Sequence, residues 1–322
     1  MKPERDLAWG DPKIIRQALV ETLGFSSHLA YVNLDSMGYT PHFGTEKLIE
    51  QLKILTQRQT GWKPKHLFIT NGATGGVNAA LYAMKDNAEY VTTNDRYFPF
   101  YPQMIDIAGL IRINKKEQLD YQQLGMDSEN FIILMDSPSN PEGIVYPFDH
   151  TDIFDGAYVS SPYNKGKVLP KSWKIMVGSL SKTLGMPGLR LGWICTDDNY
   201  LAKRAANWVD ATYVGLSKSS MDIAEEVLRN LNFDRFEEKA TLYLDSNREE
   251  MQKLLDKFGQ GEVPVRGMFA IIELGKVEKK ALERAGVKYQ SGETWGESAN
   301  FARLSLGQTR EITRDAVKAV LK

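Results

Sequence analysis

The sequence predicts an α/β protein, with a large domain built on a mostly parallel central sheet flanked by helices and a smaller α+β domain. Three observations carry this. Short apolar runs alternate with helical patterns from about residue 65 to 215, as expected for parallel strands joined by crossover helices. From Asn199 the chain turns strongly helical, and only a few strand-like runs return near its end. The 322 residues suffice for two units with a sizeable core.

Taken in order, residues 66–70 read as a strand, followed by a glycine-rich turn and a helix over 77–84. Residues 89–93, 110–114, 131–135 and 175–179 are further strands. Residues 201–212 and 219–230 have the spacing of amphipathic helices, and 235–258 reads as one long helix that stops at Gly259 and Gly261. Two strand-like runs follow, 263–266 and 268–274, then a helix near 277–285, a strand at 301–306 and a last helix after Thr309. The expected organisation is an N-terminal segment, 1–25, packed on a small domain of residues 213–322, with residues 26–212 forming the large domain.

Composition is ordinary for a globular protein, 42% hydrophobic and 25% charged. A formal net charge of −1 gives no bulk electrostatic reason for a nucleic-acid or anionic-membrane partner, so any bound anion needs a local site. The single cysteine, Cys195, cannot form an intrachain disulfide, and in the apolar stretch LGWIC it reads as a buried small hydrophobe. The opening MKPERDLAWG has no apolar run of the secretory type, and no run nears the roughly 20 residues of a membrane span. A cytoplasmic location is the expectation. His28, His42, His66 and His150 are scattered without metal-ligand spacing, so no metal is expected.

The strongest chemical signal is Ser179-Leu-Ser-Lys182-Thr-Leu-Gly-Met-Pro-Gly-Leu-Arg190-Leu-Gly-Trp. A lysine follows an apolar strand, and glycines and a proline then force an irregular loop carrying an arginine. A lysine amine is a good nucleophile only where burial or neighbouring cations suppress its charge. On spacing alone, a solvated lysine in a turn is the simpler reading. Elsewhere, Thr70-Asn-Gly-Ala73-Thr74-Gly-Gly leads from a strand into a helix, a junction whose free N–H groups suit an anion. It lacks the Gly-Lys-Ser/Thr end of a nucleotide-binding loop. Asp155-Gly-Ala-Tyr158 and Ser137-Pro-Ser-Asn140-Pro-Glu-Gly each follow a short apolar run; alone, both are unremarkable turns.

Together and in this order the elements resemble the fold-type I pyridoxal-phosphate enzymes, the aspartate aminotransferase superfamily. The resemblance implies pyridoxal 5'-phosphate as cofactor, held on Lys182 as a Schiff base, with Lys182 later moving the proton at the substrate's Cα. It places the cofactor phosphate at Ser179, Arg190, Ala73 and Thr74. Asp155 would pair with the pyridine nitrogen, so that the ring can accept electrons from the substrate. Tyr158 and Asn140 would bond the 3'-oxygen, and Tyr97 would stack on the ring. Arg303, with Gly10 and Asn140, would hold the substrate's α-carboxylate, since an Arg–carboxylate pair can be bidentate. Tyr39 resembles a tyrosine that reaches the phosphate of a neighbouring subunit, which implies a homodimer. One departure is clear: only 14 residues separate Asn140 from Asp155, where relatives insert a helix.

Trp9-Gly10-Asp-Pro, Ser161-Pro-Tyr163 and Val214-Gly-Leu-Ser217-Lys-Ser-Ser resemble the alliinase and tryptophan-aminotransferase-related branch. Ser217 has a sufficient structural role as a helix cap. The expected activity is transamination between an L-amino acid and a 2-oxo acid. A C–S lyase starts from the same carbanion and remains an alternative, as does a non-catalytic sensor that binds the cofactor.

Overall fold

A computed structural model describes residues 5–24, 38–145 and 149–322. His28 and the end of the N-terminal segment lie outside the described residues. Seven strands form the large sheet: β1 (His66–Asn71), β2 (Tyr90–Thr92), β3 (Ile111–Ile113), β4 (Phe131–Asp136), β5 (Thr151–Asp155), β6 (Trp173–Ser179) and β7 (Leu191–Thr196), in the order β1-β7-β6-β5-β4-β2-β3. The ladders β2–β3, β2–β4, β4–β5 and β5–β6 are parallel, and β7 runs against both of its neighbours.

Both faces of this sheet are covered, so its strands are apolar throughout while their side chains still alternate. Ile153, Ile175, Val177 and Ile194 face a layer containing Val77, Ala80 and Leu81 of α3 (Gly72–Met84) and Ala205 and Val209 of α7 (Asn199–Tyr213). Phe154, Met176, Trp193 and Cys195 face the other way, toward a core shared with α1 (Lys13–Leu23), α2 (Glu46–Thr60) and α9 (Phe233–Lys257). Burial pushes the Cys195 thiol far up, so it stays a neutral core group.

Helix ends follow local chemistry. Thr45 caps α2 by accepting from the Leu48 N–H at 3.1 Å, and Gly61 closes it in the left-handed region. Asp198 caps α7, Asn232 caps α9, and Ser217 caps α8 (Lys218–Asn230). The remaining large-unit helices are α4 (Tyr101–Ile107), α5 (Lys115–Gln123) and the single turn α6 (Leu180–Thr183).

A second, antiparallel sheet has the order β8-β10-β9, from Phe269–Glu273, Phe301–Ser305 and Gln290–Ser291. α10 (Lys276–Ala285) and α11 (Arg310–Leu321) follow its strands. The N-terminal segment lies on this sheet: Leu7 donates to the Lys288 carbonyl at 3.0 Å and accepts from the Ser305 N–H at 2.7 Å.

The sequence expectation does not include α1, α2, β5 or β9, and it differs further at three places. Residues 263–266 form no strand, because Pro264 has no N–H and the Val263 N–H is taken by the Gln252 side chain at 2.8 Å. The helix read from Val77 begins at Gly72. Its glycines are part of the helix because it lies close on the sheet: a Cβ at Gly76 would sit 2.6 Å from Val177 Cγ1. Strand β7 was legible only as an apolar stretch. Between β4 and β5 no helix occurs among the described residues, in line with the short spacing from Asn140 to Asp155.

Candidate active site

The carboxyl ends of β4, β5 and β6 open onto one cavity, the usual place for a ligand in an open α/β sheet. β4 ends at Asp136 and turns through Asn140. β5 ends at Asp155, with Tyr158 in the following turn. β6 ends at Ser179, and the single helical turn after it carries Lys182. Ala73 and Thr74 arrive from the start of α3, and Arg190 immediately precedes β7. All of these side chains line the cavity, together with Val77, Phe98, Met104 and Ser181.

Lys182 is half-buried. Burial lowers its pKa to about 8, with Arg303 and Arg190 pushing the same way and Asp11 and Asp155 opposing. Its Nζ donates to the carbonyl of Gly10, and its own carbonyl accepts from the Tyr163 hydroxyl at 3.1 Å. Asp155 accepts from the Tyr101 hydroxyl at 2.9 Å and from the Ala157 N–H at 3.0 Å. Burial raises its pKa, while those two donors and Lys182 hold it down. Tyr158 is buried with its ring 5.8 Å from Lys182 Nζ, and desolvation pushes its phenol up.

Arg303 is buried with its guanidinium 3.9 Å over the Phe269 ring. Its Nη1 donates to Asn140 Oδ1 at 2.7 Å and its Nη2 to the Ala8 carbonyl at 3.3 Å. Its Nε is buried with no acceptor among the described residues. Burial lowers its pKa to about 10, against the opposing pull of Tyr158.

The phosphate-side candidates are arranged differently. Gly72, with φ +68°, brings the start of α3 against Arg190, whose Nη2 lies 2.7 Å from where a Cβ would stand. The Gly72 N–H donates to the Arg190 carbonyl at 3.0 Å. Arg190 is exposed and donates to the Pro187 carbonyl at 3.1 Å. Ser179 Oγ accepts from the Ser181 N–H at 3.1 Å, capping the short turn that holds Lys182.

Four assignments read from sequence fall outside the cavity lining. Gly10 and Arg303 stand directly behind it, bonded to the lining residues Lys182 and Asn140; Tyr97 and Tyr39 do not. Tyr97 is turned away: its ring lies 3.9 Å under the Arg112 guanidinium and against Gly296, while the next residue, Phe98, presents its side chain to the cavity. The aromatic was read one residue too early, because Tyr and Phe are adjacent and either suits a ring face. Tyr39 is 94% exposed. Sequence reading also missed Asp136 and Tyr101, since an acid at a strand end and an aromatic in an apolar run carry no local mark of a site.

The sequence model for "Aminotransferase class I and II" matches residues 13–320. The chain belongs to that aminotransferase family. Among its relatives, Tryptophan aminotransferase-related protein 1 of Oryza sativa subsp. japonica is 27% identical over 53% of this chain and 40% of its own length. The bifunctional aspartate aminotransferase and glutamate/aspartate-prephenate aminotransferase of Petunia hybrida is 24% identical over 80% of this chain and 58% of its own length. The chain thus spans roughly half the length of these relatives. Among solved structures, the aromatic aminotransferase from Pyrococcus horikoshii OT3 superposes with a TM-score of 0.77 at 18% identity, covering 98% of this chain and 94% of that one. A Thermus thermophilus aspartate aminotransferase double mutant gives 0.75 at 19% identity, covering 98% and 90%. These two show the shared fold.

Class I and II aminotransferases use pyridoxal 5'-phosphate. The donor set of this cavity fits that group. It offers an amine of depressed basicity, a buried carboxylate held by two donors, an aromatic side chain, and a helix start beside an exposed arginine, with the buried Arg303 guanidinium bonded to the lining residue Asn140.

Proposed function

We propose that the chain is a pyridoxal-phosphate-dependent aminotransferase that moves an amino group between an L-amino acid and a 2-oxo acid. The observation that carries this is Lys182, a half-buried amine of lowered basicity in one cavity with Asp155, Tyr158 and Asn140. The cofactor, when bound, supplies an electron sink for the pair left at the substrate's Cα. The side chains supply the rest. Lys182 anchors the cofactor and then takes and returns the Cα proton, a task suited to a base poised near neutral pH. Asp155 provides the counter-charge for the ring nitrogen, held in place by Tyr101 and Ala157. Phe98 offers an aromatic face, and Tyr158 an O–H for the ring's 3'-oxygen. Arg303, already oriented by Asn140 and Ala8 and with its Nε without an acceptor among the described residues, would hold the substrate carboxylate. Ala73, Thr74, Ser179 and Arg190 form the phosphate end.

A homodimer belongs to the same reading, with the exposed Tyr39 reaching a neighbour's phosphate. Thr40, next to it, is tied to the Leu216 carbonyl at 2.9 Å, so the segment is anchored beside the start of α8. A monomer that binds the cofactor fully would contradict this part.

Two measurements test the activity. Capture of pyridoxal 5'-phosphate by the cofactor-free protein should accelerate as pH rises through about 8 and then level, because only the neutral Lys182 amine attacks. Lys182→Ala should show no capture. Amino donors are then screened with a 2-oxo acid acceptor, with separate assays for pyruvate and ammonia. Pyruvate and ammonia without amine transfer would replace the aminotransferase by a β-eliminating lyase.

A further inference from the structure

Asp136 ends β4 and Asp155 ends β5, and the two are register partners on adjacent parallel strands. Such partners send their side chains to the same face from strands roughly 5 Å apart, and both line the cavity with Lys182. Asp136 is 3% exposed and Asp155 6%. Two acids so close and so dry cannot both ionise cheaply, so one proton stays with the pair.

Their surroundings decide where it stays. Asp155 has two donors, the Tyr101 hydroxyl and the Ala157 N–H, and feels the Lys182 charge. Asp136 accepts from the Asn140 N–H at 2.7 Å and from its own backbone N–H, both of which favour its anion, but among the described residues it has no cation or hydroxyl donor beside it comparable to Lys182 and Tyr101. The charged groups that face it, Asp155 and Glu142, both repel a negative charge, and the phenols of Tyr101 and Tyr158 also lie within its field. Burial, then Asp155, pushes Asp136 well above the usual carboxylate range.

We propose that Asp136 holds a proton in the folded protein and serves as a positioning residue at the ring-nitrogen end of the site, a neutral carboxyl that leaves Asp155 as the single negative charge there. The proton comes from solvent on folding. The neutral carboxyl still accepts from Asn140 through its carbonyl oxygen, and Asn140 Oδ1 holds Arg303. Two hydrogen bonds therefore connect this proton to the arginine that orients substrate. The functional half of the proposal rests on the cofactor reading above; the protonation is a property of the chain itself.

Infrared difference spectroscopy of the cofactor-free protein at pH 7 reads the proton directly. The wild type should show the C=O stretch of a buried carboxylic acid, and Asp136→Asn should lack it. Asp136→Ser gives the same assignment if the first variant does not fold. A band that survives in the variant puts the proton elsewhere, and a wild type without the band has both acids ionised; either outcome overturns the proposal. In the loaded protein, ionisation of Asp136 at high pH should add a step to the cofactor absorbance titration beyond that of the cofactor's own link to Lys182, and Asp136→Asn should lack only that added step; identical titrations in the two proteins would separate Asp136 from the ring. A protein that shows the band but takes up no cofactor would instead overturn the functional reading.

Discussion

The end of the cavity formed by the start of α3, Ser179 and Arg190 is built largely of backbone and one exposed cation, whereas the end formed by β4 and β5 is built of buried carboxyls and a buried tyrosine. The first end resembles a surface anion site, in which N–H groups and a solvated arginine share the work with water. At the second, each charge acts in a medium that screens it weakly, so single groups matter more. Position along one cavity thus separates two kinds of chemistry, one tolerant and one not.

The sharpest way to break this contrast is Asp155→Asn, which removes the dry counter-charge. The turnover rate should fall on the order of 10²–10³-fold, as when one preorganised electrostatic partner is lost, and a fall no greater than that of a phosphate-end variant would refute the contrast. Gly72→Ala comes next. Its Cβ would meet Arg190 Nη2, and the left-handed backbone there costs a further ~1–2 kcal/mol. Cofactor affinity should drop roughly tenfold, within the worth of one charged hydrogen bond, while the pH at which Lys182 captures cofactor stays in place. The smallest effect separates two neighbouring rings. Phe98→Ala should weaken cofactor binding by about 1 kcal/mol, the worth of an aromatic contact beyond its area. Tyr97→Ala should leave that affinity unchanged, and equal losses in both would restore Tyr97 to the ring.

How far the sequence could be read divides along similar lines. The glycine-rich turn and the Ser-x-x-Lys loop are legible because backbone geometry demands particular residues at fixed spacing, and the large sheet because strands covered on both faces must be continuous apolar runs. Strand β7 was harder to see, since it lacks a crossover helix of its own and pairs antiparallel with β6 and β1. Asp136 and Tyr101 were illegible for another reason. Their meaning lies in a register between strands and in a hydroxyl reaching across from α4, neither of which leaves a trace in local spacing. The slip from Phe98 to Tyr97 is the same failure at its smallest scale, because a one-residue shift turns a side chain from the cavity to Arg112.

The short stretch around Gly10 has a consequence for how the molecule is made. Ala8 holds Arg303, Leu7 is bonded to Ser305, and Gly10 receives the Lys182 amine. During synthesis Leu7 and Ala8 must wait for partners nearly 300 positions later in the chain, and Gly10 for one 172 positions later. Seven strands of the large sheet can be complete by Thr196, yet Lys182 gains its neighbours Gly10 and Arg303 only after the last strand has left the ribosome. Contacts of such long sequence separation form late and slowly. The nascent chain therefore carries an assembled sheet with an unfinished centre, and competence to react arrives as one of the final events of folding.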